Sequence, residues 1–513
     1  MIHILMQAVL LLAFSFNLFF IIKKVKDINY KKNWILISFF LIGAAAFFYL
    51  SQTTPIRGGY DNDHDFGYLS KDFFNLNDLR VIFQDKEISP LIFDSITNHI
   101  FSFSLKYIVW QNLLLMFLSG LLLYLSVKII TENEIISLIS FLLFCFNFLT
   151  LINANTLSTT PANIFYVMSA TYSLFNFYNK PEYMGNFLWS SFSILLLLTG
   201  RYEFFLPLFP LYALLSFKYV IIKKIYGRRG LIAFILFSIA IFLFSILIFK
   251  VSPRNYPPVN TLYRFSFIFR NFNYQLGENN LYLIFNFLNG KLLYLISIIL
   301  IFMAYSIVRV KDKKSLKPVI TLFIFFWLLF FSAIFQPMDL YPLHFARHHL
   351  YFFIPFIFFL SISLYYLYLR LTKRYKLFLS FMLGLLFCFY LIFNIKALRF
   401  FDKSFRTNDI EWNLLIESQD KIPQNCSIYY PFEGARADIL NKYFNSGKIK
   451  SECIVKYVSP ELFIFKNRQY AGLKKYLENL GSPIIKKKFF HKFYTVWDSE
   501  EKDSIPLDIS FYK

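Results

Sequence analysis

The chain has 513 residues, of which 57% are hydrophobic and 21% aromatic, and it carries a formal net charge of +22. Its mean hydropathy of +0.50, with run after run of the ~20 apolar residues needed to cross ~30 Å of hydrocarbon, excludes a water-soluble globular protein. The positive balance does not call for a nucleic-acid partner, because much of it gathers in short clusters between apolar runs, where it sits at an anionic membrane surface.

In chain order, the first apolar segment runs from Met1 to Ile22 and is followed by Lys23, Lys24, Lys26, Lys31 and Lys32. A secretory signal would place positive charge before the apolar stretch and end at a small-residue cleavage site, so this segment is expected to be a retained helix. Further spans are predicted from Trp34 to Leu50, Tyr107 to Val127, Ile135 to Ile152, Ala162 to Tyr178, Phe187 to Leu198, Phe204 to Val220 and Leu231 to Phe249. Beyond them come Leu281 or Leu292 to Val308, Pro318 to Phe335, Leu350 to Leu369 and Leu377 to Leu398. The expected fold is an α-helical polytopic membrane protein of about twelve transmembrane helices.

With the N-terminus outside, the Lys23 to Lys32 cluster, Lys218/Lys223/Lys224/Arg228/Arg229, Arg309/Lys311/Lys313/Lys314/Lys317 and Arg370/Lys373/Arg374/Lys376 all face the cytoplasm. All four dense clusters then obey the positive-inside rule. The expected location is a bacterial cytoplasmic membrane, with the first large outer loop at 51–106 and other outer faces at 153–160, 200–203, 251–280 and 336–349. The transmembrane domain covers residues 1–400. Residues 401–513 change in composition, with short strand-like segments around Cys426 to Tyr430 and Cys453 to Val458, and are expected to form a soluble extracytoplasmic α/β domain of about 110 residues.

Only four cysteines occur in the chain. Cys145 and Cys388 fall in spans and read as apolar packing. Cys426 and Cys453 share the tail, where an oxidising compartment would allow a disulfide; two buried free thiols are the other reading.

The first outer loop contains Arg57-Gly-Gly-Tyr-Asp61-Asn-Asp63-His64-Asp65-Phe-Gly-Tyr-Leu-Ser-Lys-Asp72. Asp63 is placed to cap a helix whose Phe66, Leu69, Phe73 and Leu76 form an apolar stripe at helical spacing along the membrane surface. A carboxylate at that boundary can take a proton from a hydroxyl as it attacks a sugar carbon. Alternatively, Asp61, Asp63 and Asp65 can hold a divalent cation, Mg or Mn, that neutralises a phosphate leaving group. An ordinary polar loop with a capping aspartate is the bland reading.

Here the chain resembles the superfamily of membrane glycosyltransferases with the GT-C fold, which use polyprenyl-phosphate sugars and include protein mannosyltransferases and aminoarabinose transferases. Members carry an acidic motif in the first large outer loop, often Asp-Glu followed closely by Tyr-Leu, and His64-Asp65-Phe66-Gly67-Tyr68-Leu69 occupies that pattern. His64 stands where an acid is usual, so the resemblance implies Asp65 as catalytic base, with Asp63 close behind. Thr-Gly-Arg201-Tyr-Glu203 looks like the Arg-x-Glu segment that opens a later helix in these enzymes. It implies donor-phosphate binding by Arg201, oriented by Glu203; a pair that only locks two helices is the alternative. Asp339-Leu-Tyr-Pro-Leu-His344-Phe-Ala-Arg347-His348-His349 is similar to a late helix entry of the same superfamily, implying a phosphate clamp by Arg347 and His348. A zinc site at His344 and His348 would need further ligands that the sequence does not specify, so phosphate binding is the expectation there.

The outer loop at 250–280 carries Arg254, Arg264 and Arg270 among aromatics, suited either to covering a polyprenyl chain or to gripping anionic lipid. The implied activity moves one sugar from a polyprenyl-phosphate donor to an extracytoplasmic glycan, lipid or protein. Two other classes compete with it. An O-antigen polymerase or ligase would lean on the late Arg/His loop. A lipid-linked-sugar flippase would be expected to carry charge near mid-membrane, where these spans are nearly uncharged.

Overall fold

The computed structural model describes residues 2–26, 34–52, 72–75, 78, 88–101, 105–156, 158–200, 202–251, positions within 350–371, 372–404 and four strands of the tail. The helices are α1 (Ile2–Lys26), α2 (Trp34–Gln52), α3 (Pro90–Phe101), α4 (Leu105–Thr131), α5 (Glu134–Cys145), α6 (Phe148–Ala154), α7 (Thr160–Asn179), α8 (Met184–Thr199), α9 (Tyr202–Ser216), α10 (Gly227–Val251) and α11 (Lys373–Ser404). A π-helical turn, Phe217–Ile222, continues α9. Among the described residues four helices are long and apolar enough to cross a membrane, or five if the bent α5–α6 pair is one span. The predicted spans at 281–308 and 318–335 lie outside the described residues.

Helix starts follow local chemistry. Asn133 caps α5, its side chain accepting from Ile136 N at 3.0 Å, and Glu134 puts a carboxylate in the positive first turn. Pro161 opens α7, where its missing N–H costs nothing.

The single span predicted from Ile135 to Ile152 is two helices meeting at 61°. Asn147 interrupts it by capping α6 through its side chain, which accepts from Leu149 N at 2.9 Å. A bend in hydrocarbon leaves backbone groups in need of partners, and α11 supplies them. Tyr390 Oη donates to Leu143 O at 2.6 Å, Phe148 N donates to Asn394 Oδ1 at 2.8 Å, and Asn147 Nδ2 donates to Tyr390 Oη at 3.1 Å. The break is thus compensated by a helix almost 250 residues away in sequence.

The core is built from rings and small polar groups. Trp189 stacks on Phe20 with centroids 5.4 Å apart and meets Tyr172 edge-on at 5.3 Å. Buried Asn17 of α1 donates to Ser193 Oγ of α8 at 3.0 Å and accepts from Ser169 Oγ of α7 at 2.6 Å. Such bonds join helices where apolar burial offers little driving force between them. By contrast, α10 and α11 leave Leu231, Ile235, Leu236, Phe242, Leu377, Phe378, Phe381 and Phe389 exposed, as lipid-facing helices do. Cys145 is buried as expected of a packing residue, whereas Cys388 lies on the exposed side of α11.

The bundle has two distinguishable ends. Gln7 of α1, the start of α3 and the end of α8 meet at one end, where Gln7 Nε2 donates to Phe73 O at 2.8 Å and Ile88 N to Thr199 O at 2.7 Å. At the other end, Lys23 Nζ lies 5.8 Å from the Tyr183 ring centroid, and Tyr226 Oη donates to Pro181 O. The basic clusters at 23–26 and 218–229 thus share one end, as their alternation along the chain predicts.

In the tail, β1 (Cys426–Tyr429), β2 (Cys453–Val458), β3 (Pro483–His491) and β4 (Ile505–Tyr512) form one sheet of order β1-β2-β4-β3. β1 and β2 are parallel, and the other two pairings are antiparallel. β2 matches the strand read from the sequence, and β1 ends at Tyr429, one residue short of the reading. Helix α11 runs to Ser404, a few residues past the expected domain boundary at 400/401.

Candidate functional site

The end of the bundle that carries Gln7 and Thr199 joins two segments singled out by the sequence. Residues 72–75, which follow the acidic cluster of the first outer loop, form a turn. Asn75 N donates to Asp72 O at 3.1 Å, and Phe74 N donates to Asp72 Oδ1 at 2.9 Å. The helical stripe expected through Phe73 is therefore interrupted there, because the Asp72 carboxylate competes for backbone N–H groups that a helix would use. Phe73 is nevertheless buried.

Helix α3 clamps this turn from one side. Phe73 N donates to Ser95 Oγ at 2.8 Å, and His99 Nε2 lies 3.1 Å from Asp72 Oδ2 while its ring sits 5.1 Å from that of Phe74. Gln7 of α1 holds the turn from the other side. Sequence alone makes 51–106 one loop and misses α3. The only signal for this helix is Pro90 followed by Leu91, Ile92 and Phe93, a short apolar run interrupted by Asp94.

The start of α3 is locked to the end of α8. Ile88 N and Ser89 N both donate to Thr199 O, at 2.7 and 3.2 Å. Ser89 Oγ donates to Leu196 O at 2.8 Å, and Tyr166 Oη donates to Ser89 O at 2.9 Å. Gly200 lies within this junction: a Cβ there would come 2.9 Å from Asn163 Oδ1, 3.0 Å from Ser89 Oγ and 3.2 Å from Leu196 O. Glycine leaves room there for the Asn163 and Ser89 side chains beside the last turn of α8. The next residue is Arg201, and Glu203 lies in the first turn of α9.

Asp94 anchors α3 to α4. It is 7% exposed, and Gln111 Nε2 donates to its Oδ1 at 2.6 Å. The other end of the same amide accepts from Thr97 Oγ1, one turn along α3. Burial pushes the Asp94 carboxyl up to about 6, partly offset by the Gln111 hydrogen bond. A carboxyl so placed exchanges its proton near neutrality. Nearby, Asn112 Nδ2 donates to Thr156 O at 2.7 Å and Ser158 O at 3.3 Å, holding these two residues ahead of α7.

Among the sequence-predicted site residues, Asp61, Asp63, His64, Asp65, Arg201, Arg347 and His348 lie outside the described residues, and Glu203 is placed only by its position in α9. Their neighbours are placed: the turn at 72–75 and the start of α3 on one chain segment, Thr199 and Gly200 on the other, joined by direct hydrogen bonds. Among the described residues, no group of three His, Cys, Asp or Glu side chains is arranged to hold a metal ion.

No known family model matches the chain, and no curated protein matches it. Among solved structures it is similar to the crystal structure of ArnT from Cupriavidus metallidurans bound to undecaprenyl phosphate. The two are 10% identical, the match covers 93% of this chain and 98% of that one, and the TM-score is 0.45. A likeness at that level carries no argument about activity, which rests instead on this chain's own residues.

Proposed function

We propose that the protein is a membrane glycosyltransferase that moves a sugar from a polyprenyl-phosphate donor to an extracytoplasmic acceptor, a glycolipid, cell-wall polymer or protein. The observation that carries this reading is the junction of Ile88 and Ser89 with Thr199. It fastens Ile88 and Ser89, in the same outer loop whose sequence carries Asp63, His64 and Asp65, to Thr199, two residues ahead of Arg201; a carboxylate base and a guanidinium for the donor phosphate are the two kinds of group that displacement at a phosphorylated sugar uses.

In this reading Asp65, or Asp63 beside it, takes the proton from an acceptor hydroxyl as its oxygen attacks the anomeric carbon. The bond from that carbon to the donor phosphate breaks, and the polyprenyl phosphate departs carrying the electron pair. Arg201, with Arg347 and His348 from the late loop, binds the phosphate as its charge grows, while Glu203 orients Arg201. Phosphate leaves readily, so a general acid is not required. Where a divalent cation takes part, Asp61, Asp63 and Asp65 are the residues to hold it. The acidic loop faces the outside of a bacterial cytoplasmic membrane, with the tail on the same side.

The test uses purified protein in nanodiscs, radiolabelled polyprenyl-phosphate sugars and a membrane extract as acceptor source. The Asp63→Asn/Asp65→Asn double variant is expected to lower label transfer by a factor of about 10² or more, as loss of a general base does. Full transfer by a folded double variant would overturn the assignment. Translocation of the donor in proteoliposomes, with no label release, would make the protein a flippase.

A further inference from the structure

We propose that Cys426 and Cys453 are joined as a disulfide that fastens the edge strand of the tail sheet, a covalent modification that rests on the sheet register and not on the transferase reading. The two residues are Cα partners in the parallel pairing of β1 and β2. Neighbouring strands lie about 4.7–4.9 Å apart, inside the usual ~4.4–6.8 Å Cα separation of bridged cysteines, and residues at one register position of a parallel pair belong to the same face of the sheet. A slip of one residue would put the two on opposite faces.

The context favours a crosslink at this place. Strand β1 has four residues and is the edge of the described sheet, with β2 as its neighbour. A short edge strand held by one ladder is the element of a sheet that opens most readily. Its partner is parallel, so the chain needs a crossover between them, here from Tyr429 to Cys453. A bond at the first register position closes that crossover at its base. The other two cysteines of the chain, Cys145 and Cys388, are free thiols in membrane-spanning helices and do not compete for pairing.

Forming the bond oxidises two thiols to one disulfide. Two protons and two electrons pass to the disulfide of an extracytoplasmic thiol oxidase, which is reduced to its dithiol by exchange through a mixed disulfide. Because such oxidants act outside the cytoplasm, the modification also reports the side of the membrane that the tail occupies.

The test is differential alkylation of the full-length protein, purified in detergent without reductant. The denatured protein is treated with N-ethylmaleimide, reduced, and treated again with a heavy-isotope maleimide before peptide mass spectrometry. Cys145 and Cys388 are expected to carry the light label and Cys426 and Cys453 the heavy one, with one crosslinked peptide pair seen before reduction. Light label on Cys426 and Cys453 would overturn the proposal, as would either of them crosslinked to another cysteine. As a second arm, Cys453→Ser should expose Cys426 to a membrane-impermeant maleimide on intact spheroplasts, where the unsubstituted protein does not react. Equal reaction of Cys426 in both proteins would overturn the pairing even if the variant folds poorly.

Discussion

The two ends of the helical bundle differ in how far their contacts depend on particular residues. At the end that carries α3, contacts are buried and long-range: Ile88 and Ser89 to Thr199, Asp94 to Gln111, Asn112 to Thr156 and Ser158. At the end that carries the basic clusters, Tyr226 Oη donates to Pro181 O and Asn186 Nδ2 to Lys180 O at 3.0 Å, and beside them lysines lie over rings, Lys218 and Lys223 at 5.2 and 5.6 Å from the Tyr219 centroid, with Lys128 paired to Glu134 at 2.9 Å. The first kind requires particular residues at particular distances. The lysine contacts need only positive charge near a headgroup layer, which any of several lysines supplies. A site that must hold reacting groups in register belongs at the first end.

The comparison breaks most sharply at Gly200. A Gly200→Val substitution puts carbon atoms where Asn163 Oδ1, Ser89 Oγ and Leu196 O already lie within 2.9 to 3.2 Å of a bare Cβ. Asn163 Oδ1 and Ser89 Oγ must give way, and with Ser89 Oγ its hydrogen bond to Leu196 O, so the junction loosens. The expected loss is about 3 kcal/mol, seen as a lower aggregation temperature in detergent, together with loss of transfer because the Arg201 corner moves off the outer loop. A Gly200→Val protein as stable and active as the parent would show that the junction is loose.

A second effect is specific to pH. The Asp94 carboxyl stands at about 6 in the folded protein against 3.8 when unperturbed. The folded state therefore binds more protons than the unfolded state between these values. The associated stability is fully present below pH 3.8 and is lost as pH rises through about 6. The loss is of order 2–3 kcal/mol, since each tenfold difference in proton affinity between the two states is worth about 1.36 kcal/mol. Asp94→Asn removes that slope, so melting temperatures of parent and variant measured from about pH 4 to pH 7 should converge at the acid end and separate as pH rises, the variant being the more stable. Parallel curves would mean that Asp94 is solvated in the folded protein.

The helices of the first half were legible as apolar runs because hydropathy is a sum over about twenty residues and tolerates local error. The same averaging hid the break at Asn147, where neither Pro nor Gly marks the bend and the compensating Tyr390 and Asn394 lie almost 250 positions away. Helix α3 was hidden for another reason: twelve residues carrying Asp94, Asn98 and His99 do not reach the hydropathy of a span. Of the candidate site residues, Arg201 and Glu203 were visible in the sequence as charges beside hydrocarbon. Asp94 was not, because a single aspartate in a polar loop acquires meaning only once Gln111 is folded against it. Gly200 likewise reads as a helix end until Asn163 and Ser89 close around it.

The smallest effect is expected at the opposite end. In Lys128→Met the ion pair with Glu134 and the contact with the Tyr124 ring at 5.9 Å are lost. The two side chains are 31% and 33% exposed, so solvent already screens their attraction, and the pair contributes no more than about 1 kcal/mol. Glu134 keeps a favourable setting without its partner, since it occupies the first turn of α5, where the unpaired N–H groups of the helix favour a carboxylate. Melting temperature should fall by about 2 °C or less, with sugar transfer and pH response unchanged. Loss of activity in this variant, at the end of the bundle away from the Thr199 junction, would mean that the two ends are mechanically coupled through α4, which carries Gln111 and Asn112 at one end and Lys128 at the other.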